Sequence, residues 1–398
     1  MVSGLEDIEH APIATPALGF PGKATYVDGA AAVATAQIRL IHAGTTLGRL
    51  FVTTMWGIHN DALGSELFSK GFISIGWEQM PDLRTIGDDM GRIKAALGAA
   101  YPAAKPGAIP VWAGVLRRFA FDMSVGDLVV APYKGDSTLN FGHIAGPYEH
   151  HPDVPRHPHR RRVTWVKMGV ARSLFPQAAL YEIGSAVTLF QVRKHDGVFR
   201  SYLNAVSDET FESETETHRL GNPLPDAVAE QAAAEQPNAD RIDQHTRDFV
   251  AQVLLSDLTD REFEEFTADL LRAMGYQARV TPYSQDGGID VIAHTDALGL
   301  EQPIIKVQCK HTAVTRGRPD VQQLIGTLAA GEAGLYVTLG AFSADAIALE
   351  RERQTLRLFS GADVTNLTLT HYDALPTRWR SRMPLRRVLV VDRDPEDG

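Results

Sequence analysis

The feature that most constrains this chain is a strongly acidic stretch near its middle. Between residues 208 and 240, nine acidic side chains accompany a single arginine, Arg219, among Ser, Thr, Pro and Ala. Such a segment has too little apolar surface to offset the entropy lost on ordering, which is typical of a linker. We therefore expect an acidic flexible linker over 206–243 that separates two domains, as the length of 398 residues also suggests.

The stretches on either side of this linker differ in character. Residues 1–48 are rich in Ala, Gly, Pro and Thr, and we interpret them as an N-terminal extension. Residues 49–205 are expected to form the first domain and residues 244–375 the second. The last segment, 376–398, is basic and then acidic, and we expect a peripheral C-terminal tail.

Bulk composition excludes several classes of protein. A hydrophobic content of 44% is that of a globular protein, and no apolar run reaches the roughly 18–20 residues that a membrane-spanning helix requires. The single cysteine, Cys309, excludes a disulfide framework and fits a reducing cytoplasm. The net charge of −10 argues against indiscriminate coating of nucleic acid but still permits a local basic groove.

Hydrophobic periodicity predicts a different fold class for each domain. The first contains several short strand-like stretches with a few helices, which favours a compact, barrel-like α+β domain. In the second, helical spacing of apolar residues precedes the order α-β-β-β-α-β-α-β. That order predicts an α/β domain, a small mixed sheet flanked by helices.

Two neighbouring motifs carry the densest chemical signal. They are Asp-Gly-Gly-Ile-Asp-Val at 286–291 and Val-Gln-Cys-Lys-His at 307–311. If both belong to an antiparallel hairpin whose loop centres on Gly299, Asp290 lies directly across from Gln308. Gln308 and Lys310 then share one face, because strand side chains alternate, while Cys309 points into the core.

These residue types suit a metal-dependent phosphodiesterase. An aspartate is a hard oxygen ligand for Mg²⁺, and the Gln308 oxygen and the Cys309 backbone carbonyl could add neutral ligands. Lys310 could hold the attacking water or stabilise charge on the phosphate. Glu264 or Glu265, from the preceding helix, could supply a further carboxylate. The alternative is a surface hairpin that is polar on one side.

The segment from 249 to 373 resembles the catalytic domain of Mrr-type restriction endonucleases, a branch of the PD-(D/E)XK nuclease superfamily. The resemblance rests on Phe-Glu (263–264), Leu-Leu-x-x-Met-Gly-Tyr (270–276), both motifs above, and Val-Thr-Leu-Gly-x-Phe-Ser-x-x-Ala (337–346). In that branch a glutamine replaces the usual second acid. The resemblance implies an active site of Glu264, Asp290, Gln308 and Lys310, with Glu264 among the ligands of Mg²⁺ or, alternatively, Mn²⁺. It also implies cleavage of DNA, often DNA with modified bases.

The first domain is similar to the EVE branch of PUA-like domains, small barrels that bind nucleic acid. The similarity rests on Phe-Ile-Ser-Ile-Gly-Trp (72–77), Val-Gly-Asp-Leu-Val-Val-Ala-Pro (125–132), Phe-Gly-His-Ile-Ala-Gly-Pro-Tyr (141–148) and an arginine-rich stretch before Trp165. It implies a pocket for a flipped modified base. Candidate pocket residues are Trp56, Trp77 and Asp82, and candidate DNA phosphate contacts are Arg160, Arg161 and Arg162. The alternatives are that the rings fill the core and that Asp82 caps a helix. In the second domain, His311 lies next to the catalytic motif and is a further candidate phosphate contact; alternatively, it supports the site residues or faces solvent.

The sequence as a whole predicts a Mg²⁺-dependent DNA endonuclease of a bacterial restriction or defence system. Its partner would be double-stranded DNA with modified bases, and no membrane is involved. Because two strands need two active sites, we expect a homodimer or larger assembly on DNA. Two alternatives stay open: a nuclease activated by a small molecule or nucleotide in the first domain, and a catalytically silent DNA-binding protein.

Overall fold

The computed structural model of the chain describes residues 53–59, 61–105, 107–184, 187–212, 239–282, 288–296, 299 and 301–389. The predicted extension over 1–48 and most of the predicted linker lie outside the described residues. From Thr53 onward the chain belongs to one compact unit.

The first part of this unit contains a six-stranded sheet in the order β2-β5-β4-β3-β1-β6. Its strands are β1 (Met55–Ile58), β2 (Phe72–Ile75), β3 (Leu128–Tyr133), β4 (Thr138–His150), β5 (His159–Ala171) and β6 (Leu189–Gln191). β1 pairs with β3 in parallel, and the other pairs are antiparallel. Within the described residues β2 and β6 remain the two edges, so a closed PUA-like barrel is not confirmed.

Helices cover both faces of this sheet. They are α1 (Glu66–Lys70), α2 (Leu83–Ile86), α3 (Met90–Ala100), α4 (Ala108–Arg117) with the π-helical turn Arg118–Asp122, α5 (Gln177–Ile183) and α6 (Asp196–Asn204). Val129 packs on the side of α3 and α4, whereas its neighbour Val130 packs on the side of α5 and α6. This explains why the apolar residues of β3 are continuous in the sequence: alternate residues pack into two different cores.

The second part contains a five-stranded sheet in the order β11-β10-β9-β8-β7. Its elements are α7 (Ala239–Ser256), α8 (Asp260–Ala273), β7 (Gln277–Val280), β8 (Val291–His294), β9 (Ile304–Lys310), α9 (Arg318–Gly326), β10 (Glu332–Thr338), α10 (Ala344–Glu352), β11 (Leu356–Phe359), α11 (Gly361–Thr370) and α12 (Thr377–Arg382). The predicted order of helices and strands is confirmed as far as β11. β7, β8 and β9 are antiparallel neighbours, and β9, β10 and β11 are parallel.

Helix α8 is positioned by its own sequence. Glu262 N donates to Thr259 Oγ1, and Thr259 N donates to Glu262 Oε2, a reciprocal pair that satisfies two free amides at the N-terminus. Phe263 and Phe266 are fully buried against the sheet. Arg261 and Glu264, on the same helix, do not enter this core, and their side chains are only partly buried.

Residues 376–383, the first part of the predicted peripheral tail, instead contribute to the core. Trp379, on α12, is 2% exposed and packs edge-on against Phe266 at 5.4 Å between ring centroids. Its Nε1 donates to Asp269 Oδ2 at 2.8 Å, and Arg378 donates to the same oxygen. Burial of the Trp379 ring against α8 stabilises this segment more than its charged side chains favour exposure to solvent.

A buried ion pair joins the two parts of the unit. Arg172, which follows β5, donates from Nε and Nη2 to the two carboxylate oxygens of Asp248 on α7, at 2.8 and 2.7 Å. Both side chains are 8% exposed. Gln244 also donates to Asp248 at 3.0 Å. The bidentate geometry and the additional donor compensate the desolvation of the two charges.

A second contact reaches the loop that follows β9. Residues 208–212 are helical, and Glu212 accepts hydrogen bonds from Thr312 Oγ1 and Ala313 N, both at 2.8 Å. Ala313 is fully buried in the apolar cluster that also contains Phe141, Phe175 and Tyr202 of the first part. The loop is thus held by the first part of the chain, two residues beyond Lys310.

In the described part of the chain, no helix combines the length and apolarity needed to cross a membrane.

Removing the carboxylate of Asp248 tests the importance of the buried ion pair. We expect Asp248→Ala to lower the free energy of unfolding by about 3–5 kcal/mol, because Arg172 would remain charged, buried and uncompensated. The control is Asp243→Ala on the same helix, which breaks the exposed pair with Arg247 and should cost at most about 1 kcal/mol. Urea unfolding followed by circular dichroism measures both; equal losses would contradict a special role for Asp248.

Candidate active site

The β8–β9 hairpin carries the core of the candidate site. Val291 pairs with Val307 and Ile292 with Lys306, so the register predicted from a loop centred on Gly299 is confirmed. The paired register ends at Val291, so the pairing of Asp290 with Gln308 stays a prediction. Asp290 N donates to Val307 O at 2.9 Å, and Cys309 N donates to Asp290 Oδ2 at 2.7 Å. The carboxylate is therefore tied to the neighbouring strand.

Gln308 presents an unusual buried oxygen. Its side chain is 4% exposed, and Oε1 has no hydrogen-bond partner in any part of the chain that the structure describes. A buried polar atom without a partner costs free energy, so its retention points to a ligand. Gly288 makes room for the amide: it has φ +84°, and a Cβ there would lie 3.0 Å from Gln308 Nε2. Asp286 and Gly287 of the same motif lie outside the described residues.

Glu264 reaches the site from α8 and brings along a residue that sequence reasoning missed. Arg261 Nη1 donates to Glu264 Oε2 at 2.8 Å and to Thr281 O at 3.0 Å. Thr281 N in turn donates to Asp290 O at 2.9 Å, which links the helix to the hairpin. The signal in the sequence was the spacing of three between Arg261 and Glu264, which places them together on one side of a helix. The other candidate acid, Glu265, instead pairs with Arg378 at 2.8 Å.

The electrostatics of the two carboxylates favour a cation. Burial raises the pKa of Asp290, although the hydrogen bond from Cys309 N and the charge of Lys310 oppose the change. Burial likewise raises the pKa of Glu264, the hydrogen bond from Arg261 opposes it, and the negative charge of Asp290 raises it further. The charge of Asp290 thus destabilises the ionised form of Glu264, and burial destabilises the ionised form of both, a cost that a bound cation would relieve.

Cys309 and Lys310 occupy opposite environments on adjacent positions of β9. Burial and the charge of Asp290 raise the pKa of the Cys309 thiol, so it remains protonated and is not a nucleophile. Lys310 is exposed at the end of the strand, and its Nζ forms no hydrogen bond with the residues the structure describes. Its charge nevertheless acts on Asp290. The Cys309 carbonyl stays a predicted ligand.

The residues present fit a hard divalent cation. The described residues contain no group of three or more His, Cys, Asp and Glu side chains placed to hold a metal. The candidate set is instead two carboxylates, Asp290 and Glu264, with the unpartnered Gln308 Oε1. Carboxylate and amide oxygens are the ligands that Mg²⁺ takes, and it commonly keeps several waters in addition.

His311 must be corrected as a DNA phosphate contact. Its Nε2 lies 2.9 Å from Leu254 O, its Nδ1 lies 3.1 Å from Asp260 Oδ1, and the ring stacks on Phe263 at 5.2 Å between centroids. Both nitrogens are therefore engaged inside the protein. The neighbouring aromatic ring and the carbonyl end of α7 draw the imidazole inward, so His311 holds β9 against the helices.

The three candidate arginines of the arginine-rich stretch lie in different environments. Arg161 is 3% exposed and donates to the carbonyl oxygens of Phe119, Ala120 and Gly146, so its assignment as a phosphate contact is corrected. Arg160 lies over the Phe72 ring at 4.4 Å, and Arg162 is 72% exposed and pairs with Glu149. Consecutive residues of a strand face opposite sides, and therefore three adjacent arginines cannot share one surface.

The three candidate pocket residues of the first part do not form one pocket. Trp56 is 5% exposed, and its Nε1 donates to Asp127 Oδ2 at 2.9 Å. Asp82 caps α2 by accepting from Arg84 N and pairs with the Arg84 guanidinium. Trp77 is half-buried beside Trp112, 6.1 Å away between centroids, in a left-handed conformation with φ 61°. Such a conformation is strained for a bulky residue, and strain of this kind concentrates at functional sites.

Comparison with known proteins separates the two parts of the chain. A restriction endonuclease family model, Mrr_cat, matches residues 255–368, and a domain of unknown function, DUF8426, matches residues 53–182. The EVE or PUA-like assignment of the first part is therefore not confirmed. Over 170 residues the chain is 29% identical to the type IV methyl-directed restriction enzyme EcoKMrr of Escherichia coli (strain K12), covering 39% of this chain and 55% of that protein. The chain thus spans about half the length of that relative.

Two solved structures show weaker likeness. The DNA modification-dependent restriction endonuclease AspBHI is 15% identical with a TM-score of 0.29, covering 74% of this chain and 72% of its own. The MspJI restriction endonuclease, solved in complex with a 27-mer oligonucleotide, is 13% identical with a TM-score of 0.28, covering 89% of each chain. TM-scores this low do not establish a common overall fold. The family match is independent of them, and residues 255–368 of this chain are a restriction endonuclease domain of the Mrr type.

Proposed function

We propose that this protein is a Mg²⁺-dependent DNA endonuclease of a bacterial restriction or defence system, acting in the cytoplasm on double-stranded DNA. The observation that carries the proposal is the unpartnered, buried Gln308 Oε1, one residue before Cys309, whose backbone N–H holds the Asp290 carboxylate. A bound divalent ion would give Gln308 Oε1 a partner, with Mn²⁺ as an alternative occupant, whereas a silent binding domain or a polar surface hairpin would leave it without one.

Each residue then has a distinct role. Asp290, Glu264, Gln308 Oε1 and the Cys309 carbonyl would hold the ion. When bound, it supplies positive charge that stabilises the developing charge on the phosphate and acidifies a water. Lys310 Nζ, exposed and not engaged by described residues, would donate to a phosphate oxygen or hold the attacking water. Arg261 keeps Glu264 oriented from within α8.

We further propose that the first part of the chain reads a modified base. The relative EcoKMrr is a methyl-directed enzyme. Among the aromatic candidates, Trp77 has the strongest case, because it is only half-buried and sits on strained backbone beside Trp112. A stacking ring in such a position suits a base extruded from the DNA and held by a PUA-like domain. Cleavage of two strands would need two copies, so we also propose a dimer or larger assembly on DNA.

The first test is cleavage of methylated and unmethylated supercoiled plasmid with Mg²⁺. We expect cleavage of the methylated plasmid, and we expect Asp290→Ala to abolish it while leaving DNA binding in a gel-shift assay unchanged. The control is Gln323→Ala on α9, an exposed glutamine of the same domain, which should keep full activity. Inactivity of the folded wild-type protein on both plasmids would contradict the proposal.

The pH dependence follows from the two carboxylates. Because the pKa values of Asp290 and Glu264 are both raised, each takes up a proton at a higher pH than an ordinary carboxyl group. Protonation competes with the ion, so the affinity for Mn²⁺ should fall as pH decreases from 7 to 5, above the usual carboxylate range. Calorimetric titration of the wild type measures this fall. A constant affinity over that interval would contradict the coupling.

Substitution of Trp77 separates recognition from catalysis. We expect Trp77→Ala to lower cleavage of methylated plasmid roughly tenfold or more, since a stacked base loses about 1–3 kcal/mol with its aromatic partner. Binding of Mn²⁺ should be unchanged, because the catalytic strands are untouched. Thermal unfolding checks the fold. Unaltered discrimination between the two plasmids by a folded variant would remove Trp77 from the proposal.

A further inference from the structure

A cavity of about 550 Å³ opens in the first part of the chain, away from the catalytic hairpin. Its walls come from β1, β6 and the junction between α4 and the π-helical turn. The lining side chains relevant to its chemistry are Trp56, Arg117, Arg118, Asp122, Gln191 and Arg193. Its size falls within the range of small-molecule sites, and three guanidinium groups face a single carboxylate.

The three arginines are not equivalent. Arg117 is occupied within the protein: its Nη1 donates to Asp122 Oδ2 at 3.0 Å, and its Nε donates to Asp88 O at 3.2 Å. Asp122, the only carboxylate among the described residues that line the cavity, is thereby already paired. Among the residues that the structure describes, Arg118 and Arg193 form no ion pair with a carboxylate. Two positive charges therefore remain uncompensated.

Arg118 is the more informative of the two. Its side chain is half-buried, and its Nε is fully shielded from solvent without a hydrogen-bond partner in the described part of the chain. Burial and the positive charge of Arg193 lower its pKa, although Asp122 opposes the change. The fold thus keeps a partly desolvated cation beside another cation, an arrangement that costs stability unless an anion completes it.

Neighbouring residues hold the two guanidinium groups in place. The Arg118 guanidinium packs against α4 at Gly114, where a Cβ would lie 3.4 Å from Arg118 Nη1, an ordinary van der Waals contact. Arg193 Nε donates to Gln191 Oε1 at 3.0 Å, which orients the second guanidinium at the opposite wall.

We propose that this cavity is an anion site that takes a phosphate group between Arg118 and Arg193. The planar donor fork of arginine matches phosphate oxygens, and two such groups around one cavity suit a dianion better than a single carboxylate. The phosphate has two possible sources with the same chemistry, a free nucleotide or the backbone of bound DNA. The site is separate from the catalytic hairpin and does not require the nuclease to be active.

Binding to the full chain in the absence of divalent metal tests the site independently of cleavage. The probes are inorganic phosphate, dCMP and a 20-base-pair duplex, each titrated against the wild type, Arg118→Gln and Arg193→Gln. The matched control is Arg92→Gln, an exposed arginine of α3 that does not line the cavity. We expect each cavity variant to weaken binding roughly tenfold or more, as when a charge-assisted hydrogen bond is lost, and the control to leave it unchanged.

The three probes distinguish a free nucleotide from the DNA backbone as the source of the phosphate. If the ligand is a nucleotide, dCMP binding is lost in the variants while duplex binding is retained. If the phosphate belongs to DNA, duplex binding weakens, and the dependence of log affinity on log salt decreases by about 1 for each arginine removed. If neither cavity variant differs from the wild type with any of the three probes, the proposal is overturned.

A stability measurement removes the ambiguity of misfolding. Because free Arg118 is a partly desolvated and uncompensated cation, Arg118→Met should unfold at the same or a higher temperature than the wild type without ligand. The variant should at the same time lose the increase in unfolding temperature that the binding probe gives to the wild type. Destabilisation of the free variant together with full retention of the ligand effect would assign Arg118 a structural role and overturn the proposal.

Discussion

The hydrogen bond from Cys309 N to Asp290 Oδ2 is the interaction on which the catalytic hairpin depends. It joins the last residue before β8 to Cys309, near the end of β9, and it requires one register of the two strands. A slip of one residue would turn Gln308 and Lys310 to the opposite face and bring Cys309 beside Asp290 instead. The fully buried Val291 and Val307 resist that slip, because it would expose them. The chemistry of the site is therefore maintained by the packing beneath it.

The same strand is anchored from the other part of the unit. Beyond Lys310 the chain enters a loop whose Thr312 and Ala313 donate to Glu212, and Ala313 is buried among side chains that belong to the first sheet. The buried pair of Arg172 and Asp248 joins the same two parts nearby. Since packed interiors transmit displacement rather than absorb it, a rearrangement in the first part is felt at the loop after β9. The two parts of the unit are therefore in direct contact at the loop that follows the candidate site.

Buried arginines in the first part illustrate how the surroundings decide what a charge does. Arg161 donates to the carbonyl oxygens of Phe119 and Ala120 in the π-helical turn and of Gly146 in β4, which gives each guanidinium nitrogen a partner within the protein. Arg118 begins that same turn, yet its Nε has no partner in the described residues. Desolvation is a cost for both, and only Arg161 recovers it within the protein. The difference distinguishes an arginine that holds the fold from one available to an anion.

Local pattern explains most of what could be predicted. The order of helices and strands in residues 244–359 followed from periodicity and capping, and the hairpin register followed from one glycine and strand alternation. The Mrr-type family was recognisable because its motifs are short and contiguous. The predictions that needed correction were long-range: the inward His311, the saturated Arg161, and Trp379 in the core.

By itself, therefore, the sequence determined the secondary structure of the nuclease part, the residues of its hairpin and their alternation between faces, since these depend on neighbours a few positions apart. Only the tertiary structure decided which polar groups find partners. Three features depend on segments that packing brings together. Arg261 pairs with Glu264 and Thr281, and Glu212 accepts hydrogen bonds from the loop after Lys310. Gln308 Oε1 and Arg118 Nε are buried without a partner among the described residues. Burial sets the cost of a missing hydrogen bond, and burial is a property of the folded chain.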